Sequence, residues 1–457
     1  MTQRFKKIES ILLPSIIELL IIFFMSFHLR YPMESGYLLW QHIELGKADI
    51  TERHITTHNF FSYLPTRPIK RSSWLSDDMF YLLYTIGKYK AIIIVKLLIL
   101  VFLFTAPFYM FGENASMYTL ILPIYIILTL PGTALRPGLF ALLMFLLFIY
   151  GLYKNNTVLM GILVFLWSFV HGTYILGTFI FLLYIAFNLR SGIKSGILKI
   201  WPLILAILPL FLPHSSLTIF THLHKQSFLL KGFEEWLPVK FVSFHGFVFL
   251  LYIFLWIYAV VKKRDLRWAI YGGILLILGL RFRRFIPFVV ISGIPIIMFL
   301  KIHFMDRIEY MIKETMRYPL YIMLFCVYFI LRTPGFSTYF KKQRHPYGCE
   351  SMLKSLNDGK NILTLQAWVP YLYFSTHGRH HFAIDATLTQ EDTYIKTYFD
   401  FLAFKGDCES ELRTLKPDYV LLPRSYYKKI GIFCERCLKI EHQTPHCVIW
   451  RNKCTYR

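Results

Sequence analysis

The chain has 457 residues, of which 56% are hydrophobic and only 17% are charged. A soluble globular domain carries about 25% charged residues, so the composition excludes an ordinary soluble protein and indicates an integral membrane protein. The formal net charge is +23, but the basic residues are scattered through short links between apolar runs. That distribution favours contact with anionic lipid head groups, and we expect no nucleic-acid partner.

The N-terminus carries a basic segment followed by the apolar run 11–29. This run is longer than the roughly 7–15 apolar residues of a cleaved secretion signal, and no small-residue cleavage site follows it. The segment therefore predicts a retained first membrane span with the N-terminus in the cytoplasm.

A long polar segment, 31–90, separates the first apolar run from the second. It is nowhere apolar over the about 20 residues that a membrane span needs. Two pieces, Ser35–Gly46 and Trp74–Gly87, have the amphipathic pattern of helices that lie flat on a membrane surface. We predict a large folded loop after the first span, and we expect the chemistry to lie there.

Apolar runs predict about eleven membrane-spanning helices. They lie near 11–29, 91–111, 117–131, 138–153, 157–170, 173–189, 199–213, 246–261, 267–280, 285–300 and 317–331. Most of the links that this count places in the cytoplasm are basic, as the positive-inside rule requires. Because the number of spans is odd, the loop 31–90 and the tail beyond 332 are both predicted on the outer face.

The tail, 333–457, is polar and differs in character from the rest of the chain. Strand-like pieces at 361–368, 380–385, 418–423 and 447–450 alternate with helix-like pieces at 391–404 and 409–415. This alternation predicts a small α/β extracytoplasmic domain of ordinary size.

Cysteines are concentrated in this tail. Six of the seven lie there: Cys349, Cys408, Cys434, Cys437, Cys447 and Cys454. An even number of cysteines in an oxidising compartment favours disulfides. The alternative is a tetrahedral zinc site formed by Cys434, Cys437, His442, His446 and Cys447, although this spacing matches no standard zinc ribbon or finger.

Three side chains of the predicted outer face are candidates for acid–base chemistry or polar binding. Glu34 lies just beyond the first span, where a carboxylate can act as a general base on an acceptor hydroxyl or hold a metal against a lipid-linked phosphate. The alternative is that Glu34 is a solvated loop residue without a chemical role. His42 shares a helical face with Gly46, and His171 ends a span on the outer side. Either histidine can donate a hydrogen bond to phosphate or sugar, or serve as a structural hydrogen-bond partner.

Arginines at the predicted outer border of the membrane indicate a phosphate site. Arg136 precedes a proline, and Arg281, Arg283 and Arg284 cluster between two spans. The positive-inside rule does not account for arginines there, whereas guanidinium groups bind phosphate in a bidentate manner. Anchoring to lipid head groups is the alternative. In the outer segment 214–245, Glu235 either presents a carboxylate to the acceptor or lies on a surface helix.

The sequence lacks the motifs of several enzyme classes. There is no nucleotide-binding loop, no G-x-G-x-x-G helix opening and no H-E-x-x-H zinc motif. We therefore expect neither an ATP-driven enzyme nor a Rossmann-type enzyme. A transporter is a further alternative, but the predicted spans show no inverted repeat.

A series of short motifs follows one order along the chain. They are LLWQHIELG with Trp40, His42 and Gly46, NFFSY with Phe61, Ser62 and Tyr63, SSWL with Trp74 and Leu75, LRPGLF with Arg136 and Pro137, WSFVHG with Trp167, His171 and Gly172, EEW with Glu235 and Trp236, RFRRFIP, and HFAID with Asp385. With these motifs in this order, the chain resembles bacterial multi-pass membrane proteins related to the GT-C glycosyltransferases, which use polyprenyl-phosphate sugar donors. The resemblance covers nearly the whole chain.

The first loop departs from the pattern of that family. The family's paired acidic residues before the histidine fall on Gly36 and Leu38, and its His-Glu before tryptophan falls on Ser72 and Ser73. If those acids are catalytic in relatives, this chain has lost them or uses Glu34 instead.

The resemblance implies an all-α polytopic GT-C-like domain over 1–332 and an α/β domain over 333–457, in the bacterial inner membrane. It implies transfer of a sugar from a polyprenyl-phosphate donor to a glycan, lipid or protein acceptor on the outer face, with inversion at the sugar carbon. The expected roles are a base or metal ligand for Glu34, a phosphate clamp for Arg281, Arg283 and Arg284, and pocket lining for Arg136, His42, His171 and Glu235. A divalent cation is left open as a cofactor, with no dedicated metal ligands assigned. The alternative is a non-catalytic relative that binds lipid-linked glycan or scaffolds envelope assembly.

Overall fold

The structure is a computed structural model of the chain, and it describes residues 36–69, 71–111, 115–189, 201–212, 234–300, 346, 349–385 and 387–454. The predicted spans 11–29 and 317–331 lie outside these residues, and so does Glu34.

Helices account for most of the described residues before residue 300. They are α1 Gly36–Glu52, α2 Trp74–Phe111, α3 Ala115–Thr129, α4 Gly138–Tyr153, α5 Thr157–Val170, α6 Tyr174–Leu189, α7 Trp201–Ile207, α8 Phe244–Lys263, α9 Leu266–Arg281 and α10 Ile286–Ile297. Short 3₁₀ turns lie at Leu130–Thr133, Leu208–Phe211, Glu234–Trp236 and Arg283–Phe285. Eight of the predicted spans fall within the described residues and are helical, and the described part of the span 199–213 is helical as well.

Polar caps mark where several of these helices begin. The side chain of Asn156 accepts a hydrogen bond from the Leu159 backbone N–H before α5. Ser243 accepts one from the Gly246 N–H before α8. Such caps satisfy backbone donors that a helix start leaves without a partner, so the polar residues between apolar runs set the helix borders.

Two helices in the described part of the chain are long and apolar enough to cross a membrane: α2 and α8, with mean hydropathies of 2.6 and 2.2. The other apolar helices there are shorter, at 10–17 residues. The helical character of the predicted runs is confirmed, while the count of eleven spans stays a prediction.

Helix α2 is interrupted near its middle. Gly87 and Lys88 have non-helical backbone angles, and Lys88 has a φ of 54°. The interruption separates the predicted amphipathic piece, which ended at Gly87, from the apolar run 91–111. The break thus coincides with the predicted end of the polar loop, and the start of the second span stays a prediction.

The described residues form two compact units, one of which combines 71–76 with 86–300. Its core contains large aromatic side chains, with Trp167 stacked on Phe288 at a ring-centroid distance of 6.3 Å. The Tyr252 hydroxyl donates a hydrogen bond of 2.7 Å to the Val290 carbonyl. A side chain at Gly293 would overlap that hydroxyl, so glycine allows α8 and α10 to pack closely.

The second unit combines 36–69 and 77–85 with the described part of the tail. The predicted domain border at 332/333 falls outside the described residues and stays a prediction. The tail contains α11 Glu350–Lys354, β1 Asn361–Thr364, α12 Val369–Ser375, β2 His381–Phe382, α13 Asp392–Leu402, α14 Cys408–Leu415, β3 Tyr419–Pro423, α15 Tyr427–Phe433, β4 Leu438–Gln443 and β5 Cys447–Asn452.

The five strands form one sheet in the order β2-β1-β3-β5-β4. Strand β1 pairs with β2 and β3 in parallel, and β5 pairs antiparallel with β3 and β4. The sheet continues into the first loop, because Tyr63 N–H donates to the Phe382 carbonyl at 3.1 Å and Phe382 N–H donates to the Phe61 carbonyl at 2.8 Å. The predicted α/β character of the tail is confirmed, and part of the polar loop joins the same sheet.

Three disulfides pair all six tail cysteines: Cys349–Cys447, Cys408–Cys434 and Cys437–Cys454. The disulfide prediction is confirmed. The zinc alternative is wrong, because Cys434, Cys437 and Cys447 belong to three different disulfides and have no thiolate to offer.

Burial of Glu411 predicts a pH-dependent stability of the tail. The residue is 8% exposed, and its Oε2 has no hydrogen-bond partner in the described structure. Burial, with help from Asp400 and Asp407, raises the pKa of Glu411 from its ordinary 4.5 to about 7. Between these values the unfolded chain ionises first, so the free energy of unfolding falls as the pH rises from about 4.5 to about 7.

Replacing Glu411 with glutamine is therefore expected to stabilise the tail above about pH 7 and to change little at about pH 4. The measurement is amide hydrogen exchange of β3, compared between variant and wild-type chain at each pH. Glu409→Gln is the matched control, since Glu409 is exposed on the same helix and pairs with Arg413. The raised pKa of Glu411 would be contradicted if both variants slowed amide exchange of β3 equally, or if Glu411→Gln still slowed it at low pH.

Candidate functional site

Three turns between apolar helices bring opposite charges together in the first unit. Arg136 lies before α4, Glu235 lies in the turn Glu234–Trp236, and Arg284 lies in the turn that opens α10. The guanidinium Nη1 of Arg136 is 2.6 Å from Glu235 Oε2, and the Nη1 of Arg284 is 3.9 Å from Glu235 Oε1. We call Arg136, Glu235, Arg284 and Trp236 the arginine–glutamate cluster.

Trp236 fixes the orientation of one guanidinium. The Arg284 guanidinium lies over the Trp236 ring, 4.2 Å from its centroid, in the stacked arrangement that arginine favours on aromatic faces. The side chains of Arg136, Glu235 and Arg284 are 22%, 32% and 20% exposed. The cluster is thus ordered by its own contacts, and its three charged side chains are partly exposed.

The cluster carries two positive charges and one negative charge. Burial lowers the pKa of Arg284 from 12.5 to about 10; the Glu235 carboxylate opposes this shift and the charge of Arg136 reinforces it. A base with that pKa remains protonated at neutral pH, so Arg284 stays cationic. The net positive charge, with one guanidinium only loosely paired at 3.9 Å, suits the binding of an additional anion such as a phosphate.

The other two arginines of the RFRRF turn have different surroundings. The Nε of Arg283 donates a hydrogen bond of 3.0 Å to the Pro238 carbonyl, and its backbone N–H donates to the Leu237 carbonyl. The Arg281 guanidinium lies 5.7 Å from the Phe282 ring centroid. Arg283 therefore fastens the segment that follows Trp236, and of the three only Arg284 joins Arg136 around Glu235.

His171 lies at the end of α5, also in the first unit. Its Nδ1 accepts a hydrogen bond from the Thr173 backbone N–H at 3.1 Å and contacts the Thr173 hydroxyl at 2.8 Å. The turn after the helix therefore orients the imidazole ring. This is the structural role that the sequence offered as an alternative; a role in binding substrate stays a prediction.

His42 lies in the second unit, on α1. Its Nδ1 is 2.7 Å from Oδ1 of Asp77, whose side chain is fully buried. A side chain at Gly46, one helical turn further along, would overlap the backbone of Asp77. The shared helical face of His42 and Gly46 is confirmed, and both residues face the start of α2. Asp77 lies in the first turn of α2, and its pairing with His42 was not predicted, because the two residues lie 35 positions apart in the sequence.

A second polar network in this unit surrounds Asp385. The buried carboxylate accepts hydrogen bonds from Asn59 Nδ2 at 3.0 Å, from the Thr387 hydroxyl at 2.9 Å and from Gln390 Nε2 at 3.1 Å. Burial raises the pKa of Asp385, and these donors oppose the shift. Because Asn59 belongs to the first loop, the network fastens that loop to the tail.

The described residues offer little support for a bound metal. The one group of three suitable side chains among them is Glu409, Cys437 and Cys454, and its two cysteines are bonded to each other. Glu44 is buried, which raises the pKa of its carboxyl, and Lys47 at 3.8 Å opposes that shift. Neither observation tests the divalent cation, which stays a prediction.

The sequence matches no protein-family model and no curated protein, but solved structures share its fold. ArnT from Cupriavidus metallidurans in the apo state aligns over 97% of this chain and 98% of its own, with 11% identity and a TM-score of 0.56. The same protein bound to undecaprenyl phosphate gives 10% identity, the same coverage and a TM-score of 0.53. The Archaeoglobus fulgidus oligosaccharyltransferase in the apo form aligns over 98% of this chain and 75% of its own, with 12% identity and a TM-score of 0.50.

These structures are GT-C glycosyltransferases, so the predicted resemblance is confirmed at the level of the fold. Identities of 10–12% establish the fold alone. The apolar composition, together with helices α2 and α8, supports the predicted membrane location.

Proposed function

We propose that the chain is a membrane glycosyltransferase that moves a sugar from a polyprenyl-phosphate donor to a glycan, lipid or protein acceptor. The arginine–glutamate cluster carries the proposal, because it places two guanidinium groups around one carboxylate within a GT-C fold. The undecaprenyl phosphate bound by a protein of the same fold supports a lipid phosphate as the ligand.

In this reaction the bond between the sugar carbon and the phosphate oxygen breaks, and negative charge develops on the leaving phosphate. Guanidinium groups that are already oriented stabilise such charge without further rearrangement. Arg136 and Arg284 take that role, while Arg281 and Arg283 add positive potential from the same turn. Glu34 is the proposed base or metal ligand, and His42, His171 and Glu235 are proposed to contact sugar or acceptor.

The reaction is proposed to take place on the outer face of the bacterial inner membrane. Disulfides persist in oxidising compartments, and the three in the tail support an extracytoplasmic position for it. With an odd number of spans, this position requires a cytoplasmic N-terminus.

The test is a transfer assay with the purified full chain in lipid nanodiscs, a labelled polyprenyl-phosphate sugar and envelope extract as the source of acceptor. We expect time-dependent transfer of label that Arg136→Ala strongly reduces. Absence of both donor binding and transfer would contradict the proposal.

Donor binding without transfer would favour the second candidate function, a non-catalytic protein that binds lipid-linked glycan or scaffolds envelope assembly. One observation favours it: the positions of the family's acidic loop residues hold Gly36, Leu38 and Ser73, and Ser72 occupies the position of its histidine.

Glu235 competes with a donor phosphate for the same two guanidinium groups. Replacing it with glutamine keeps the side-chain shape and removes the negative charge, so we expect a polyprenyl phosphate to bind about tenfold more tightly. The affinity is measured by thermophoresis of the labelled chain in detergent. Glu409→Gln makes the same change in net charge far along the chain in the tail and is expected to leave the affinity unchanged. Weaker binding by Glu235→Gln would show that the carboxylate contacts the ligand favourably.

A further inference from the structure

We propose that His42 and Asp77 act as a dyad in which His42 accepts the proton of the acceptor hydroxyl and Asp77 positions and stabilises its imidazole. The inference rests on the proposed glycosyl transfer and assigns its general base. It arises from one contact, the 2.7 Å hydrogen bond between His42 Nδ1 and Asp77 Oδ1.

The two partners differ in exposure in the way that such a dyad requires. The side chain of Asp77 is 0% exposed and that of His42 is 15% exposed. Asp77 is therefore an internal support, whereas the side chain of His42 keeps some exposed surface. In the described part of the chain, His42 makes no hydrogen bond other than the one to Asp77.

This hydrogen bond selects the tautomer of His42. An ionised carboxylate only accepts hydrogen bonds, so the proton lies on Nδ1 and the lone pair of the neutral ring lies on Nε2. An imidazole with its Nδ1–H held by a buried carboxylate is the arrangement in which histidine acts as a general base. Its Nε2 is then the atom that receives a proton.

Packing holds the dyad in place. Leu39 and Ile43, which flank His42 on α1, are 0% and 1% exposed, and the Phe80 ring stacks on the imidazole with centroids 5.9 Å apart. Glycine at position 46 lets α1 approach the backbone of Asp77. A base supported by two helices is positioned more precisely than one on a mobile loop.

The transfer step forms one bond at the sugar carbon and breaks another. The acceptor oxygen forms a bond to the sugar carbon while its proton passes to Nε2 of His42, which becomes an imidazolium. The bond between the sugar carbon and the phosphate oxygen breaks, and its electron pair stays on the polyprenyl phosphate. The Asp77 carboxylate stabilises the imidazolium, which then releases its proton to water.

The test compares His42→Ala, Asp77→Asn and Glu34→Gln in the full chain, with transfer and lipid-phosphate binding measured separately. We expect His42→Ala to lower kcat at least about 100-fold and to leave undecaprenyl-phosphate affinity within about twofold. Added free imidazole is expected to restore part of the transfer, because it replaces a missing base. Asp77→Asn is expected to lower kcat as well, since an amide can donate to Nδ1 and move the ring proton to Nε2. His54→Gln is the control, since His54 is 63% exposed and pairs with Glu52.

The outcomes separate the dyad from the proposed function. Full transfer by His42→Ala together with loss in Glu34→Gln would overturn the dyad and assign the base to Glu34. If His42→Ala loses transfer and free imidazole does not restore it, His42 has only a structural role, and the dyad is overturned. A wild-type chain that binds donor and transfers nothing would overturn the transferase function itself, and the dyad with it.

Discussion

Replacing Arg284 with alanine is expected to weaken binding of a polyprenyl phosphate by about 100-fold, which corresponds to roughly 2.7 kcal/mol. Arg284 is the guanidinium of the cluster that is stacked on Trp236 and only loosely paired with Glu235. It can therefore turn its donors to a phosphate without breaking a short ion pair. Without it, Arg136 and Glu235 neutralise each other and the cluster loses its net positive charge.

Matched variants distinguish this loss from a general effect of removing an arginine. Arg267→Ala removes an arginine from the neighbouring helix, where it is 50% exposed and lies 3.5 Å from Asp265, and is expected to leave the affinity unchanged. Arg283→Ala removes the hydrogen bond to Pro238 and is expected to loosen the local turn with a smaller loss of affinity. Arg284→Lys keeps the charge but loses the planar stacked group, so we expect an intermediate affinity.

The measurement is a titration of each variant with undecaprenyl phosphate in detergent at two salt concentrations. Because surface electrostatics are screened by salt, the difference between wild type and Arg284→Ala is expected to shrink as salt increases. An equal loss in Arg267→Ala, or full affinity in Arg284→Ala, would show that the phosphate binds elsewhere.

The sequence predicted the apolar helices well because their limits are local. Helices α4 and α5 have the predicted borders, 138–153 and 157–170, since a continuous apolar run ends at polar residues and Asn156 caps the next helix. Strand β4 was not predicted, because nearly all of its residues are exposed and it lacks an apolar run. Its pairing with β5 depends on backbone hydrogen bonds that the sequence does not show.

The candidate site was predictable in its residue types but not in its pairings. Arginines at a predicted outer border indicated a phosphate site, and Arg136, Glu235 and Arg284 were each singled out. Nothing local indicates that Glu235 would bridge two arginines from turns about 100 and 50 residues away, because that contact exists only after the helices pack. The same holds for His42 with Asp77.

Loss of the Asp385 carboxylate is expected to produce the largest effect on stability. Asp385 is fully buried and accepts hydrogen bonds from Asn59, Thr387 and Gln390. In Asp385→Ala the buried Gln390 amide loses this acceptor, while the Asn59 amide keeps the Thr387 and Thr389 hydroxyls as acceptors. An orphaned buried polar group costs about 1–3 kcal/mol, so we expect the second unit to lose on the order of 3 kcal/mol or more.

The expected result is faster amide exchange and easier proteolysis across the first loop at 59–67 and strand β2, where the loop pairs with the sheet. Asp392→Ala is the control: its carboxylate is 61% exposed and lies 3.5 Å from Arg67, and an exposed pair of this kind contributes at most about 1 kcal/mol. Comparable protection in both variants would mean that backbone pairing alone holds the loop. Selective loss in Asp385→Ala would instead identify the buried carboxylate as the group that ties the first loop to the tail, and any function of the second unit would then depend on it.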